Sequence, residues 1–336
     1  MRAFRAVLAA STLALIVAAG PGAAQPAPTT WKVSLGAETP DHAIQVNDYF
    51  PRTITINEGD SITWTKPTLQ PHTVHFLSGA KPPTIGLPQP DGRVLFNPLV
   101  RNPQGGQTYD GTGIAASGWL VEETGLRYSL TFTKPGTYHY LCLLHPGMSG
   151  TVVVLPKGEK VPTTQAEYDE ASAKQRAQAL NLGRHLLASG TPSVRRTESG
   201  TEYGIFLKVS SGARINILRF APQTITIKVG DTVRWETRDT IDPHTVTFSG
   251  SDQVPPWEVP EAQAQGPPKV YRNNKAALPA GGRVHEGGGF YNSGRLAPLG
   301  TPGPLTYSLT FTKPGTYTYW CAIHVPEGMR GTVVVQ

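Results

Sequence analysis

Sulfur is scarce in this chain: its 336 residues hold two Cys and three Met, one of them the initiator. Two cysteines cannot build a disulfide framework, and Cys142 and Cys321 stand in equivalent places of a repeat, so a bond between them is not expected. Charge is also sparse, at 16% of residues, with 30 Lys and Arg against 24 Asp and Glu. The longest cluster of basic residues is the pair Arg195 and Arg196, so the footprint of a nucleic-acid binder is missing. The mild positive balance is better suited to tuning encounter with an acidic protein partner or a membrane surface. A 38% hydrophobic content supports one or two ordinary cores and argues against disorder and coiled coil.

Long apolar runs are lacking as well. The longest, Ala6 to Ala19, follows Arg2 and Arg5 and precedes Gly22, Ala23 and Ala24. Spanning a bilayer takes about 20 apolar residues. The pattern is that of a secretory signal peptide over residues 1–24, cleaved after Ala24, which predicts a periplasmic or extracellular protein with no transmembrane span after cleavage. The arginines are not adjacent and no Cys lies near the cleavage point, so neither a twin-Arg nor a lipoprotein signal is supported.

What the chain does have is a duplication. Tyr128 to Cys142 matches Tyr307 to Cys321 at 13 of 15 positions. Pro51 to Trp64 parallels Pro222 to Trp235, Pro71 to Phe76 parallels Pro243 to Phe248, and GTVVV recurs at Gly150 and Gly331. A period this long marks a duplicated domain, not a solenoid. In each copy TITI, a Gly-Asp turn and then ITW or VRW alternate with period two, as a half-buried antiparallel strand does, and Pro-Gly marks a tight turn before the Cys-bearing strand. The expected fold is all-β: two tandem Greek-key β-sandwich domains over residues 31–155 and 202–336. Between them, in a linker over residues 156–201, Thr163 to Ser189 is free of Pro and stops at Gly190. It predicts one linker helix of about 25 residues, roughly 36 Å long if straight. Each domain also carries a long Gly/Pro-rich insertion, containing Tyr109 to Leu120 or His285 to Leu296, which look like related loops.

Both cysteines and both non-initiator methionines fall into one recurring pattern. Cys142, His145 and Met148 follow His72, and Cys321, His324 and Met329 follow His244. A thiolate, two imidazoles and a weak thioether make a blue-copper electron-transfer set, because thiolate favours Cu(I) while imidazole suits both oxidation states. Packing alone accounts for a lone buried Cys or Met. It does not account for two parallel sets of four. Structural zinc prefers Cys-rich or Cys2His2 tetrahedra, and a Met ligand speaks against it.

Both halves resemble cupredoxins, the blue-copper β-sandwich family of plastocyanin, pseudoazurin and amicyanin. The first loop, CLLHPGM, is similar to that of amicyanin, and CAIHVPEGM has the loop length of plastocyanin and pseudoazurin. The resemblance implies two type 1 copper ions, held by His72, Cys142, His145 and Met148 and by His244, Cys321, His324 and Met329. It implies a carrier of single electrons between a redox donor and acceptor, exchanging them through a loop His at the surface, with Leu143, Leu144 and Pro146 forming an apolar patch in the first domain. Two departures stand out: Thr73 and Thr245 occupy the place where Asn is frequent, and the interval from the first His to Cys is longer. Two-domain relatives that are enzymes, such as nitrite reductases and multicopper oxidases, have a His beside the blue-copper Cys. Here the neighbours are Leu141 and Leu143, and Trp320 and Ala322, so no enzyme is expected. A copper storage or delivery protein is a further alternative, but Met-rich and His-rich tracts are lacking. Of the spare histidines, His75 and His139 lie near the motifs, and strand spacing turns both away from the copper.

Overall fold

A computed structural model describes residues 27–188, 193–197, 200–207 and 214–336. The predicted signal peptide and the Gly190 helix stop lie outside these residues. Among the described residues no helix is long and apolar enough to cross a membrane.

Each half is a two-sheet sandwich. In the first, one sheet runs Ile44–Phe50, Thr30–Glu38, Ser61–Thr65, Arg127–Phe132, Thr108–Tyr109, and the other Thr53–Asn57, Ser149–Leu155, Gly136–Leu141, His75–Phe76, Ala115–Ala116. Period-two patterning turns Ile62 and Trp64 inward from Ser61–Thr65, where Trp64 meets Phe76, Phe132 and Tyr140. Trp235, Phe248, Phe311 and Tyr319 fill the same places in the second half. The expectation of antiparallel pairing for TITI is corrected: Thr53–Asn57 runs parallel to Ser149–Leu155, and Thr224–Ile227 parallel to Arg330–Val335. Alternation reports that one face is buried, not the direction of the neighbouring strand. Ser193–Thr197, which falls in the predicted linker, pairs with Gly200–Leu207 and extends a sheet of the second sandwich.

The halves meet along a local two-fold axis. Ile44–Phe50 pairs antiparallel with Ile215–Ile217, with Asn216 opposite Gln45, Ile215 opposite Val46 and Ile217 opposite Ile44. The repeat makes Gln45 and Asn216 equivalent, so the axis passes between them. The long insertions repeat this geometry: Val94–Phe96 pairs with Lys269–Arg272, Leu95 facing Tyr271, in a four-stranded sheet shared by both halves. Phe96, Val100, Trp119 and Val270 pack beneath it, and Arg101 reaches Glu258 across it at 2.8 Å. The other loop segments each lay a short strand beside His75–Phe76 or Thr247–Phe248, which follow the first His of each half, with the Ser117 hydroxyl accepting from Val74 N–H and the Ser293 hydroxyl from Val246 N–H, both at 2.8 Å.

The linker helix, Gln165–Ala188, begins with a capping box in which Thr164 N–H donates to the Glu167 carboxylate at 2.7 Å and Glu167 N–H donates back to the Thr164 hydroxyl at 3.3 Å. It is no free spacer. Ala179, Leu180, Leu186 and Leu187 lie on Ala43, Ile44, Ile215 and Ile217, so the helix covers the seam between the halves. Gly183 permits this closeness: a Cβ there would sit 2.3 Å from Ile44 Cγ2 and 3.3 Å from Ile215 Cγ2. Gly183→Val is expected to destabilise the protein by about 1–3 kcal/mol through overpacking, read as a lower denaturation midpoint.

Candidate metal centres

In each half a strand delivers the Cys and a tight loop returns with the His and Met. Cys142 N–H donates to the Met148 carbonyl at 2.9 Å and Met148 N–H to the His145 carbonyl at 3.1 Å; the second loop closes with Cys321 to Met329 at 3.0 Å and Met329 to His324 at 3.1 Å. Two extra residues in the second loop leave these bonds intact. The first His of each set comes from a neighbouring segment, bridged to Leu120 or Leu296 of the insertion.

The ligand atoms of His72, Cys142 and His145 lie within 4.8 Å of one another, as do those of His244, Cys321 and His324, and all six side chains are buried. Nδ1 of each imidazole faces the sulfur: 4.0 Å for His72 and 3.5 Å for His145 from Cys142, 3.8 Å for His244 and 3.3 Å for His324 from Cys321. Met148 and Met329 are buried in the adjoining cores. Burial alone would raise both thiols, yet the imidazoles beside them hold each well below the usual thiol range: His145 and His72 act on Cys142, His324 and His244 on Cys321.

Thr73 and Thr245 have defined roles. The N–H of each points at the sulfur from 3.4 Å, and its hydroxyl accepts from the residue after the Cys, Leu143 at 2.9 Å or Ala322 at 2.7 Å. They fix both the sulfur and the start of the loop. His75 and His139 stay outside the sets: His75 approaches the Leu99 carbonyl at 3.4 Å, and the exposed His139 meets the Thr151 hydroxyl at 3.1 Å.

The expected surface position of the loop histidines is corrected. His145 and His324 are each 3% exposed, with Asp242 of the second half lying against both. Leu143 and Leu144 are half-buried against the cluster shared by both halves, and Leu143 together with the exposed Pro146 lines a cavity of about 500 Å³ beside Cys142 with Pro82, Pro83 and Thr84.

Between the two loop histidines lies a carboxylate that sequence reasoning missed. Asp242 Oδ1 is 4.0 Å from His145 Nε2, and Oδ2 is 3.6 Å from His324 Nε2. Gln70 Nε2 donates to Oδ2 at 2.7 Å, and Asn216 Nδ2 donates to the same oxygen. Burial opposes the charge on Asp242, but His324 and His145 hold its carboxyl below the usual carboxylate range. Burial likewise pulls His145 and His324 down, and the thiolate and Asp242 beside each lift it above its ordinary value. A second carboxylate distinguishes the centres. Asp239 Oδ2 lies 2.9 Å from His244 Nε2 and, with Cys321, outweighs burial to raise His244 to about 9. The corresponding His72 Nε2 is buried with no hydrogen-bond partner, and burial lowers its pKa. The repeat aligns Gln70-Pro71-His72-Thr73 with Asp242-Pro243-His244-Thr245, which places Gln70 and Asp242 at one position without marking either as functional.

A family model described as copper binding proteins, plastocyanin/azurin family, matches residues 41–155 and 207–336. The amicyanin of Paracoccus denitrificans is 31% identical over 154 residues, which is 45% of this chain and 94% of the relative. The plastocyanin of Scenedesmus fuscus is 33% identical over 128 residues, 38% of this chain and 97% of the relative. A solved oxidized mutant of amicyanin aligns at 24% identity with a TM-score of 0.23, covering 38% of this chain and 82% of that one.

Proposed function

This chain belongs to the plastocyanin/azurin family of copper-binding proteins, and from that premise we propose that it is an exported carrier of single electrons with one type 1 copper in each half. The observation that carries the reading is the pair of buried His-Cys-His groups whose thiols are held well below their usual range. His72, Cys142, His145 and Met148 hold one ion, and His244, Cys321, His324 and Met329 the other. Copper, when bound, supplies a one-electron change between Cu(II) and Cu(I).

The chain's own groups provide the constraint. Thr73 and Thr245 anchor the sulfurs, and the loop hydrogen bonds hold the Cys beside the His. Ligands fixed in this way move little between oxidation states, which keeps electron exchange fast. The cavity beside Cys142 is the route by which a redox donor or acceptor approaches the first centre. The domains extend over residues 31–155 and 202–336, and the leader at 1–24 directs the chain to the periplasm or outside the cell.

Metal analysis, absorption and electron paramagnetic resonance on one copper-loaded sample test the reading. Two copper ions per chain with an intense thiolate-to-copper band are expected; a colourless protein holding zinc would overturn it. Turnover of nitrite or oxygen with a reduced dye would replace the carrier with an enzyme. Asp239→Asn is expected to weaken Cu(II) binding at the second centre alone, by about 10- to 100-fold, since a carboxylate on the outer nitrogen of a ligand His strengthens it as a donor. Removing negative charge there also raises that centre's potential. A chelator competition titration on the full chain and on Cys142→Ser checks the affinity, and a redox titration of the same samples the potential.

A further inference from the structure

Among the described residues Asp242 is the one carboxylate placed within 4.0 Å of both loop imidazoles, with a different oxygen toward each: Oδ1 at 4.0 Å from His145 and Oδ2 at 3.6 Å from His324. Neither imidazole belongs to a surface open to another protein, as both are 3% exposed. The carboxylate is itself gripped from both halves, by Gln70 from the first and Asn216 from the second. Gln70 and Asp242 occupy the same position of the repeat, two residues before the first ligand His, and meet on the local two-fold axis that also passes between Gln45 and Asn216.

Two aspartates meeting here would put like charges together in a buried space, and one would be driven to protonate. Two glutamines would give the imidazole N–H groups no anion. The pair actually present supplies one negative charge and an amide to hold it.

We infer that Asp242 is a positioning residue shared by both metal centres: its single carboxylate orients His145 and His324 together and couples the centres, so that a change of charge at one is felt at the other. The inference rests on the proposed copper reading. It makes the molecule a coupled pair instead of two carriers on one chain. Asp239, by contrast, meets one imidazole, that of His244, while its other oxygen accepts from the backbone N–H groups of Ile241 and Asp242.

The test uses the full copper-loaded chain and reads Cu(II) affinity and midpoint potential at each centre. Asp242→Asn is expected to weaken Cu(II) binding at both centres, by about 10- to 100-fold at each, and to raise both potentials, since losing a negative charge disfavours Cu(II). Gln70→Asp combined with Asp242→Gln returns the carboxylate from the opposite side of the axis and should restore both values. Coupling is read without altering Asp242 by comparing the first centre in the full chain and in Cys321→Ser: its potential should shift when the second centre is lost. That shift should shrink when Asp242→Asn is added, a double-mutant comparison. An effect confined to one centre, or a first-centre potential indifferent to the second, would overturn the proposal while the thiolate band and copper count stand. Absence of that band would defeat the copper reading itself. Should Asp242→Asn fail to fold, the swapped pair and the Cys321→Ser comparison still decide the matter.

Discussion

Cys142→Ser is expected to abolish about half of the thiolate-to-copper absorption and to lower the copper content from two ions per chain to one, and Cys321→Ser to remove the other half. The physical ground is that the thiolate is the only anionic ligand in each set and the source of the colour. A serine hydroxyl keeps its proton near neutral pH, so the site retains two imidazoles and a thioether, a much weaker set for either oxidation state. In each half the sulfur already accepts a backbone N–H, from Thr73 or Thr245 at 3.4 Å, and sits between two imidazoles. The protein is therefore shaped around an anion at that point. Metal-free unfolding curves separate loss of copper from loss of fold: a buried polar substitution costs about 1–3 kcal/mol, which leaves a folded protein with one colour-bearing centre. An unchanged spectrum in either variant sinks the corresponding ligand assignment.

A second large effect is expected from Ile215→Asp. Ile215 is fully buried, pairs with Val46 across the seam and lies under the linker helix. A carboxylate there has no cation among the cluster residues Ala43, Ile44, Ile217, Ala179 and Leu180. The cost of such an unpaired buried charge is roughly 3–5 kcal/mol, falling on the contact between the halves and not on either sandwich core. The halves should come apart while each keeps its own copper colour. Small-angle scattering should show an increased radius of gyration, and limited proteolysis should cut the helix faster. Preserved compactness would mean that the shared insertion sheet and the Arg101 to Glu258 contact hold the halves together on their own. Loss of colour would mean that the sandwiches depend on their contact.

The two His-Cys-His groups that the structure brings together were legible because the candidate chemistry is concentrated in rare residues. Two Cys and two Met recurring at matched places leave little room for another reading, and His72 and His244 follow from the repeated Pro-His-Thr. The sandwiches were legible from alternation, and the helix from Thr-capped, Pro-free sequence. Parallel pairing of Thr53–Asn57 was not, since burial alternates alike in either direction. Asp242 and Asp239 carried no sequence signal of their own, as an Asp before Pro or in a turn is ordinary. Their meaning depends on what lies opposite, and for Asp242 that includes the other half of the chain. The loop histidines were placed at the surface for the same reason. A single family domain leaves that face open, and here Asp242 of the second half lies against His145. The Gly/Pro-rich insertions, ambiguous in sequence, become the strands that join the halves.

The pairing of Gln70 with Asp242 has a consequence for why the halves are one chain. In a dimer of identical subunits, a position on the two-fold axis faces its own copy, and both copies must carry the same side chain. A charged residue opposite an amide is then forbidden by symmetry. Covalent duplication lifts that restriction: each half can mutate independently while the contact is retained. The linker helix thus does more than tether. By making the two copies different genes' worth of sequence on one polypeptide, it permits a single negative charge at a place where a homodimer could have only two or none.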